Sequence, residues 1–290
     1  MDYLTSLFYK IFERFRWEMG IRYKFFSDAT LINQAVSRKN NLGERVLINL
    51  GCGTRYDDEW INIDFRGNGK SVFSWDLRKS LPLPDKSCDG IYASHVIEHF
   101  DRADARTLLL ECHRLLKSGG CLRLVAPDLE AITQAYLHAL ESVRKSESNA
   151  IARHEWMTIE LLDQLVRHES GGEMMRYWGQ EVVPEESFVA ARVGVEYTHA
   201  RSFSRNLSAP KISSKTALDV GKFRLGGEVH LWMYDEVSLC RLLLECGFSN
   251  PIRRKESESS IDGFNTFFLD ATESGKIYKP DSFFVEAFVS

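Results

Sequence analysis

Residues 47–64 read LINLGCGTRYDDEWINID and carry the most informative pattern of the chain. An apolar run ends at a Gly-Cys-Gly turn between Gly51 and Gly53, and a second run, Trp60–Phe65, contains Asp64 near its end. Glycine lets the backbone turn tightly and approach a ligand without a Cβ in the way. In an open parallel sheet, ligands bind beyond the carboxyl ends of the strands, near the point where the strand order reverses. We therefore expect the glycine turn and Asp64 to face one ligand cleft.

The same stretch indicates what kind of ligand the cleft holds. A dinucleotide fingerprint has a third glycine three residues after the second, which places pyrophosphate at a helix N-terminus, but Tyr56 occupies that position. The link from Gly53 to Trp60 is also too short for a full crossover helix. A nucleoside without phosphates fits better, because the Asp64 carboxylate can accept both hydroxyl hydrogens of a ribose.

Further short apolar runs alternate with helical patterns along the chain. A helical pattern spans Ala105–Leu116, and the Gly119-Gly120 pair follows it. Such alternation indicates a parallel sheet covered on both faces. We predict an α/β fold with a doubly wound, mostly parallel, seven-stranded sheet. Its strands after the first two are expected at Ser71–Leu77, Cys88–Val96, Cys121–Ala126, Pro251–Arg254 and Phe264–Ala271.

The domain organisation follows from where this alternation stops and resumes. Residues 1–44 are helical in pattern, and residues 45–271 form the main domain. Within that domain, residues 131–227 are expected to be a helical and loop insertion on the acceptor side, with Tyr197–Gly227 loop-like. Asp235 is expected to cap a helix that ends before Gly247. The apolar tail, residues 272–290, is expected to dock on the domain.

Composition excludes several classes of protein. The formal net charge is −4 over 290 residues, which argues against a nucleic-acid binder. Hydrophobic residues make up 44% of the chain, which is typical of a globular protein. We see no transmembrane segment and no secretory signal, and the six scattered cysteines indicate buried, reduced thiols in the cytoplasm. The N-terminal apolar stripe from Leu4 to Met19 packs on the domain or lies on a membrane surface. The oligomeric state stays open.

Several motifs together resemble the class I S-adenosylmethionine-dependent methyltransferases. The resemblance covers residues 45–126 and 229–270 and implies the seven-stranded fold of that family and its cofactor, S-adenosylmethionine. Two weaker matches, HLWMYDEVSL at 230–239 and YKPDSFFVEA at 278–287, resemble a branch associated with bacterial surface-glycan biosynthesis. The motifs of the main resemblance are LGCG at 50–53, IDF at 63–65, WDL at 75–77, LPLPDKSCDGIYASHVIEH at 81–99 and LLKSGGCLRLVAPD at 115–128.

The resemblance implies a set of cofactor-binding residues that follow strand ends. Gly51 and Gly53 would line the methionine part of the cofactor, and Asp64 would hold the ribose. Asp76 and Leu77 would contact the adenine. The full implied set is Gly51, Cys52, Gly53, Asp64, Asp76, Leu77, Ser94 and His95.

Histidines are the candidates for the catalytic base. A hydroxyl acceptor is a weak acid, so a base must take its proton as the methyl bond forms, and histidine is the usual choice. His230 is the first candidate, because it lies where the insertion rejoins the core. His199, at the start of a basic stretch, is the second candidate. By the resemblance, Ser94 and His95 would lie near the sulfonium, where His95 would orient acceptor or water.

The fourth strand end also contains a metal-binding pattern. His95, Glu98 and His99 fit the H-x-x-E-H spacing of one metalloprotease class, and three such ligands can bind zinc. Because the same letters belong to the methyltransferase-like motif, we expect no protease and assign no metal ligand. A metal-assisted methyltransferase, with Asp128 joining the set, stays open as an alternative.

The acceptor is the least determined part of the function. We expect O-methylation of a hydroxyl on a saccharide or glycan precursor by in-line displacement. The basic stretch of the insertion either recognises an anionic group on that acceptor or is a solvated loop. The alternatives are methylation of another small-molecule hydroxyl and a non-catalytic cofactor-binding subunit. The basic residues concerned are Arg201, Arg205, Lys211, Lys215, Lys222 and Arg224.

Overall fold

The computed structural model describes residues 28–204 and 215–290. The apolar stripe predicted from Leu4 to Met19 lies outside the described residues, as do Arg205 and Lys211 of the basic stretch. Short 3₁₀ turns occupy Ile97–His99 and Phe264–Phe267. In chain order the other elements are α1 (Asp28–Asn41), β1 (Leu47–Leu50), β2 (Ile61–Asp64), β3 (Val72–Ser74), β4 (Cys88–Ser94), α2 (Arg102–Leu115), β5 (Leu116–Pro127), α3 (Leu129–Arg144), α4 (Ala150–Val166), α5 (Gly172–Trp178), α6 (Glu186–Val193), α7 (Val195–Ser204), α8 (Ala217–Arg224), α9 (Glu236–Glu245), β6 (Ser249–Arg254) and β7 (Ser282–Phe288).

The strands form one seven-stranded sheet in the order β3-β2-β1-β4-β5-β7-β6. The strands from β3 to β5 run parallel, and β7 runs antiparallel to both of its neighbours. The order reverses at β1, which pairs with β2 on one edge and β4 on the other. The predicted fold class, a mostly parallel seven-stranded α/β sheet, is confirmed.

The two faces of the sheet are covered differently. Alternate residues of each strand point to opposite faces. One face packs its buried aliphatic residues, such as Ile48 and Ile91, against apolar residues of α1, α2 and α9. The other face packs residues such as Tyr92 against Trp60 and the segment that carries Phe264. Helices therefore cover one face, and an irregular segment with a 3₁₀ turn covers the other.

The helices α3 to α7 form a second hydrophobic cluster. Trp156 and Met157 of α4 are fully buried at its centre, together with Trp178 of α5 and Val189 of α6. The predicted loop-like character of Tyr197–Gly227 is wrong for the described part, where α7 and α8 are helical. The helices form because an aromatic residue of α7 packs into the cluster, and because a capping box closes the N-terminus of α8. The predicted cap of α9 by Asp235 is confirmed.

The chain after β6 departs from the sequence prediction. The strand predicted at Phe264–Ala271 is wrong: its first residues form a 3₁₀ turn, and the last strand is Ser282–Phe288 in the tail. A short apolar run does not by itself distinguish a strand from a segment that covers a core. The tail does more than dock on the domain, because β7 lies between β5 and β6 and completes the sheet.

A buried ion cluster fastens the irregular segment to the sheet. Arg123 of β5 has no solvent exposure and lies 2.8 Å from Asp270 and 3.0 Å from Glu286. It also donates a hydrogen bond to the carbonyl of Glu258 at 2.7 Å. The hydroxyl of Tyr92 donates to Asp270 at 2.6 Å. These contacts hold β4, β5, β7 and the segment after β6 together.

The burial of the cysteines and the length and polarity of the helices are typical of a globular chain. All six cysteines are free, and five of them are buried. The predicted burial of most of these thiols is confirmed. In the described ranges, every helix is too short or too polar to cross a membrane.

Replacing Arg123 by methionine tests the ion cluster. Arg123→Met is expected to lower the free energy of unfolding by about 3–5 kcal/mol, because Asp270 would stay buried without its cation and Glu286 would keep only its ion pair with Arg254. Urea unfolding measures this change. Arg241→Met is the control: the Arg241 side chain is 80% exposed beside Glu245, and its loss should cost less than about 1 kcal/mol. Equal stability losses in the two variants would contradict the structural role of the cluster.

Candidate active site

The carboxyl ends of four strands meet at one edge of the sheet. Leu50 of β1 pairs with Ile63 of β2 and with Ala93 of β4. Ser94 of β4 in turn pairs with Val125 of β5. This edge flanks the reversal of strand order at β1, where open α/β sheets form a ligand crevice. The residues that follow these strands are therefore neighbours.

The glycine turn after β1 requires glycine at two positions. Gly51 and Gly53 have φ values of +62° and +54°, in the left-handed region that favours glycine. A Cβ on Gly51 would come within 2.3 Å of a methyl carbon of Val96. A Cβ on Gly53 would meet nothing within 4 Å, so the backbone there is open to a ligand. Cys52, between them, is buried, and burial raises the pKa of its thiol to about 12.

Asp64 lies beside this turn. Its carboxylate accepts hydrogen bonds from the backbone N–H of Gly53 at 2.9 Å and of Arg66 at 3.1 Å. The side chain is only partly buried, so its oxygens remain reachable from the cleft. The glycine turn and Asp64 are thus in direct contact at this edge of the sheet.

Asp76 and Leu77 follow β3, the next strand outward. The carbonyl of Asp64 accepts from the N–H of Trp75, which brings the end of β3 next to β2. Asp76 is partly buried and pairs with Arg78 at 2.9 Å, and this hydrogen bond lowers the pKa of its carboxyl. Both predicted residues therefore lie on the same sheet edge, with Asp76 engaged by a neighbouring cation.

His95 follows Ser94 directly and has a φ of +55°. Its Nε2 lies 2.8 Å from the hydroxyl of Ser282, and its Nδ1 lies 3.0 Å from Oε1 of Glu98. Burial lowers the pKa of His95, and nearby Lys279 lowers it further, although Glu98 opposes the shift. The imidazole is therefore neutral at neutral pH.

His230 lies close to the same group but deeper. It is 3% exposed, and its Nε2 is 3.9 Å from Oε1 of Glu98. Its ring contacts the ring of His99 edge-on, with the centroids 4.9 Å apart. Burial lowers the pKa of His230 to about 3. Such a weakly basic, enclosed ring is poorly suited to accept a proton at neutral pH.

His199 is in a different environment. It is exposed on α7, and in the described part of the chain no hydrogen bond or ion pair joins its ring to His95 or Glu98. The basic stretch is largely engaged within the chain where it is described. Arg201 and Arg224 donate to backbone carbonyls, and Lys215 pairs with Glu169.

One family profile and several solved structures match this chain. Residues 62–124 match the sequence profile of a family described as a methyltransferase domain. Among solved structures, the chain is similar to a SAM-dependent methyltransferase from Archaeoglobus fulgidus, with 14% identity, 88% of this chain and 93% of that chain covered and a TM-score of 0.36. It is also similar to a possible histamine N-methyltransferase from Thermotoga maritima, with 14% identity, 97% and 96% covered and a TM-score of 0.36. No curated protein matches the sequence.

The family match spans β2 to β5, the strands that carry the glycine-turn partner Asp64 and the Ser94 strand end. Over those residues the chain resembles a methyltransferase domain, and the sequence resemblance implies S-adenosylmethionine as the cofactor. The cofactor fits the residues present, because the open backbone at Gly53 and the reachable carboxylate of Asp64 meet at one edge.

A segment before β7 lies next to these strand ends. Because β7 is antiparallel to β5, its first residue, Ser282, pairs with Pro127 at the carboxyl edge. The carbonyl of Asp281 accepts from the N–H of Asp128 at 2.9 Å. Lys279 forms an ion pair with Glu196 of α7 at 3.0 Å.

The ring at the start of this segment contacts the glycine loop. The guanidinium of Arg55 lies 4.6 Å from the centre of the Tyr278 ring. Arg55, Ser94, Tyr278 and Lys279 help to line a cavity of about 10 Å³, which is close to the volume that holds one water. The segment therefore lies against the strand ends at this edge.

Several of these residues have no role that the sequence pattern predicts. Glu98 belongs only to a metal-like pattern, and Lys279, Asp281 and Ser282 belong only to a tail motif. The one available signal was the run YKPDS at 278–282, directly before an apolar strand. That pattern does not reveal that β7 begins at the cofactor edge.

Asp281 has an unusual environment for a carboxyl group. Burial raises its pKa to about 7, and the carboxylates of Glu160 and Glu196 add to the shift. Lys279 and Arg192 oppose it. A carboxyl that titrates near neutral pH at a sheet edge is suited to proton exchange.

Asp281→Asn is expected to flatten the pH dependence of stability. The folded pKa of about 7 exceeds the ordinary 3.8, so the folded state holds the proton more tightly than the unfolded state. This stabilisation is fully present below about pH 4 and is lost as the pH rises through about 7. Urea unfolding at several pH values should show that the stability of the variant rises by about 2–3 kcal/mol relative to that of the parent between about pH 5 and pH 8.

Asp262→Asn is the matched control, because that side chain is 97% exposed. Its stability profile should run parallel to that of the parent chain. If the Asp281→Asn profile were also parallel to the parent, the carboxyl would have an ordinary pKa.

Proposed function

We propose that the chain transfers a methyl group from S-adenosylmethionine to a hydroxyl of a saccharide or glycan precursor, with His95 as proton acceptor. The observation that carries the proposal is the position of the His95 ring. It follows Ser94 at the carboxyl end of β4, and its Nε2 contacts the Ser282 hydroxyl at 2.8 Å. A histidine at this edge is close to both a bound cofactor and an acceptor entering beside β7.

The cofactor-binding roles are part of the same proposal. When bound, S-adenosylmethionine supplies a methyl group that is already activated on a sulfonium. Gly51 and Gly53 would line its methionine part, and Asp64 would accept from the ribose hydroxyls. Asp76 and Leu77 would contact the adenine. The main tasks left to the protein are alignment of the acceptor and exclusion of water.

The proposed base has suitable partners on both ring nitrogens. A hydroxyl loses its proton as the methyl bond forms, so a group within hydrogen-bond reach must accept it. The Ser282 hydroxyl lies between Nε2 of His95 and Oδ1 of Asp281, at 2.8 Å and 3.4 Å. Nδ1 lies 3.0 Å from Oε1 of Glu98, which faces the ring from the opposite side. The buried His230 and the exposed His199 have weaker geometric support.

The polar character of the edge supports a saccharide over a quinone-like acceptor. Arg55, Lys279 and Glu196 contribute charged groups around the strand ends. Sugar hydroxyls pair with such groups, whereas an apolar ring would leave them desolvated. The ion pair between Lys279 and α7, together with contacts of α4 with residues near 230, supports an acceptor-side role for the helical insertion.

The cysteines and the net charge of the chain support two further parts of the proposal, the cellular location and the class of acceptor. Six free thiols suit the reducing cytoplasm. The net charge of −4 gives no support for a nucleic-acid acceptor. An anionic saccharide remains compatible with the exposed Lys222.

Asp64→Ala tests the cofactor site. The variant is expected to bind S-adenosylmethionine about 10- to 100-fold more weakly in isothermal titration calorimetry, because hydrogen bonds to a charged acceptor contribute about 1.5–3 kcal/mol each. Asp58→Ala removes an exposed carboxylate from the same loop and should bind the cofactor like the parent. Unchanged affinity in Asp64→Ala would exclude the ribose role.

His95→Gln tests the proposed base. Transfer of labelled methyl from S-adenosylmethionine to a bacterial surface-glycan extract should slow by about 10²- to 10⁴-fold, as expected when a general base is lost. Cofactor affinity should change less than about threefold, since the ring is not a proposed ribose or adenine contact. His199→Gln is the matched control and should retain the parental rate.

Each other outcome of this assay identifies an alternative. A parental rate in His95→Gln would exclude His95 as the base. Label that reaches only apolar hydroxyl compounds would identify a different small-molecule acceptor. A chain that binds the cofactor but labels no acceptor would be a non-catalytic cofactor-binding subunit.

A further inference from the structure

Glu98 is a buried carboxylate without a hydrogen-bond partner. It lies in the 3₁₀ turn after β4, has no solvent exposure, and neither carboxylate oxygen has a hydrogen-bond partner among the described residues. Nδ1 of His95 lies 3.0 Å from Oε1, but this contact lacks hydrogen-bond geometry. Burying an ionised group without partners is costly, and buried charges are commonly paired or coordinate a metal. The oxygens of Glu98 therefore lack a partner, and a bound cation would be one.

His99, the next residue, has the tautomer of a metal ligand. Its Nδ1 lies 3.2 Å from the carbonyl oxygen of Val229. A carbonyl only accepts hydrogen bonds, so Nδ1 carries the proton and Nε2 of the neutral ring keeps its lone pair. Metal-binding histidines are typically oriented in this way by a backbone carbonyl. The ring is only partly buried, which leaves a path for an ion from solvent.

His230 completes the group from the other side. Its backbone N–H donates to the carbonyl of Gln164, which anchors it to α4. The N–H groups of Leu231 and Trp232 both donate to the backbone carbonyl of Glu98, at 2.7 Å and 3.2 Å. The chain segments that carry Glu98 and His230 are therefore joined by their backbones, independently of any ion.

The ligand atoms of the three side chains lie within 4.8 Å of one another. A zinc ion with bonds of about 2.0–2.2 Å holds its donors roughly 3–4 Å apart, so small side-chain rotations would close the set. Two imidazoles and one carboxylate suit zinc, iron(II) and similar ions better than magnesium or calcium, which prefer oxygen donors. The donor set thus favours a divalent transition metal.

We propose that Glu98, His99 and His230 bind one divalent transition-metal ion of the zinc type. The ion would bridge the 3₁₀ turn after β4 and the segment before α9, directly beside His95. This set differs from the H-x-x-E-H pattern of the sequence, because His230 takes the place that His95 has in that pattern. The binding does not depend on the identity of the methyl acceptor.

Metal content of the full chain tests the site. The tag-free protein is stripped with a chelator, dialysed against Zn²⁺ and analysed by mass spectrometry for bound metal. About one ion per chain is expected. Glu98→Gln, His99→Asn and His230→Asn are each expected to weaken Zn²⁺ binding more than about 100-fold by calorimetry, since even outer partners of a metal site contribute 10- to 100-fold.

Two histidine variants serve as controls. His138→Asn removes an exposed imidazole on α3, and His95→Gln removes the neighbour of Glu98 that is not in the set. Both should retain the ion. Loss of the ion in His95→Gln, with retention in His230→Asn, would overturn the assignment in favour of His95, Glu98 and His99.

A spectroscopic measurement covers variants that fail to fold. Co²⁺ added to the stripped parent should give visible absorption bands that Zn²⁺ abolishes, and His99→Asn, with its partly exposed ring, should lack them. Circular dichroism identifies any unfolded variant. Binding of less than about 0.1 ion per chain by the parent, or Co²⁺ bands that persist in His99→Asn, would overturn the proposal. Neither readout involves methyl transfer, so failure here is distinct from failure of the proposed function.

Discussion

Parallel pairing on both edges of β1 is the constraint on which the rest of the structure depends. Because β2, β1, β4 and β5 run in the same direction, their carboxyl ends lie on one edge of the sheet. The order reverses at β1, so connections leave in opposite directions and a crevice opens there. Gly51, Asp64 and Ser94, distant in sequence, become neighbours for this reason.

The antiparallel strand β7 adds a second group of residues to the same edge. An antiparallel strand begins where its parallel neighbour ends, so Ser282 pairs with Pro127 and contacts His95. The tail is thereby tied to the site at one end and, through Glu286 and Arg123, to the core at the other. The same segment completes the sheet and contributes Ser282 to the site. The stability of the domain is therefore coupled to the geometry of the site.

Burial at this edge determines the electrostatics. The rings of His95 and His230 are held neutral chiefly by burial, whereas Asp281 keeps its proton to near neutral pH for the same reason. Removing side chains from water disfavours their charged forms, and only a close opposite charge reverses the effect. Glu98 stands out because it is fully buried and yet has basic rings on several sides.

The sequence by itself predicted most of the sheet-forming runs, the glycine turn and the position of Asp64 beside it, because each depends on local pattern: apolar runs, missing Cβ atoms and an acid at a strand end. Only the tertiary structure decided that residues 282–288 form a central strand in place of Phe264–Ala271. It also decided that His230 is enclosed beside Glu98 while His199 is exposed. Strand order, burial and the meeting of distant side chains arise from long-range packing, which no local pattern encodes.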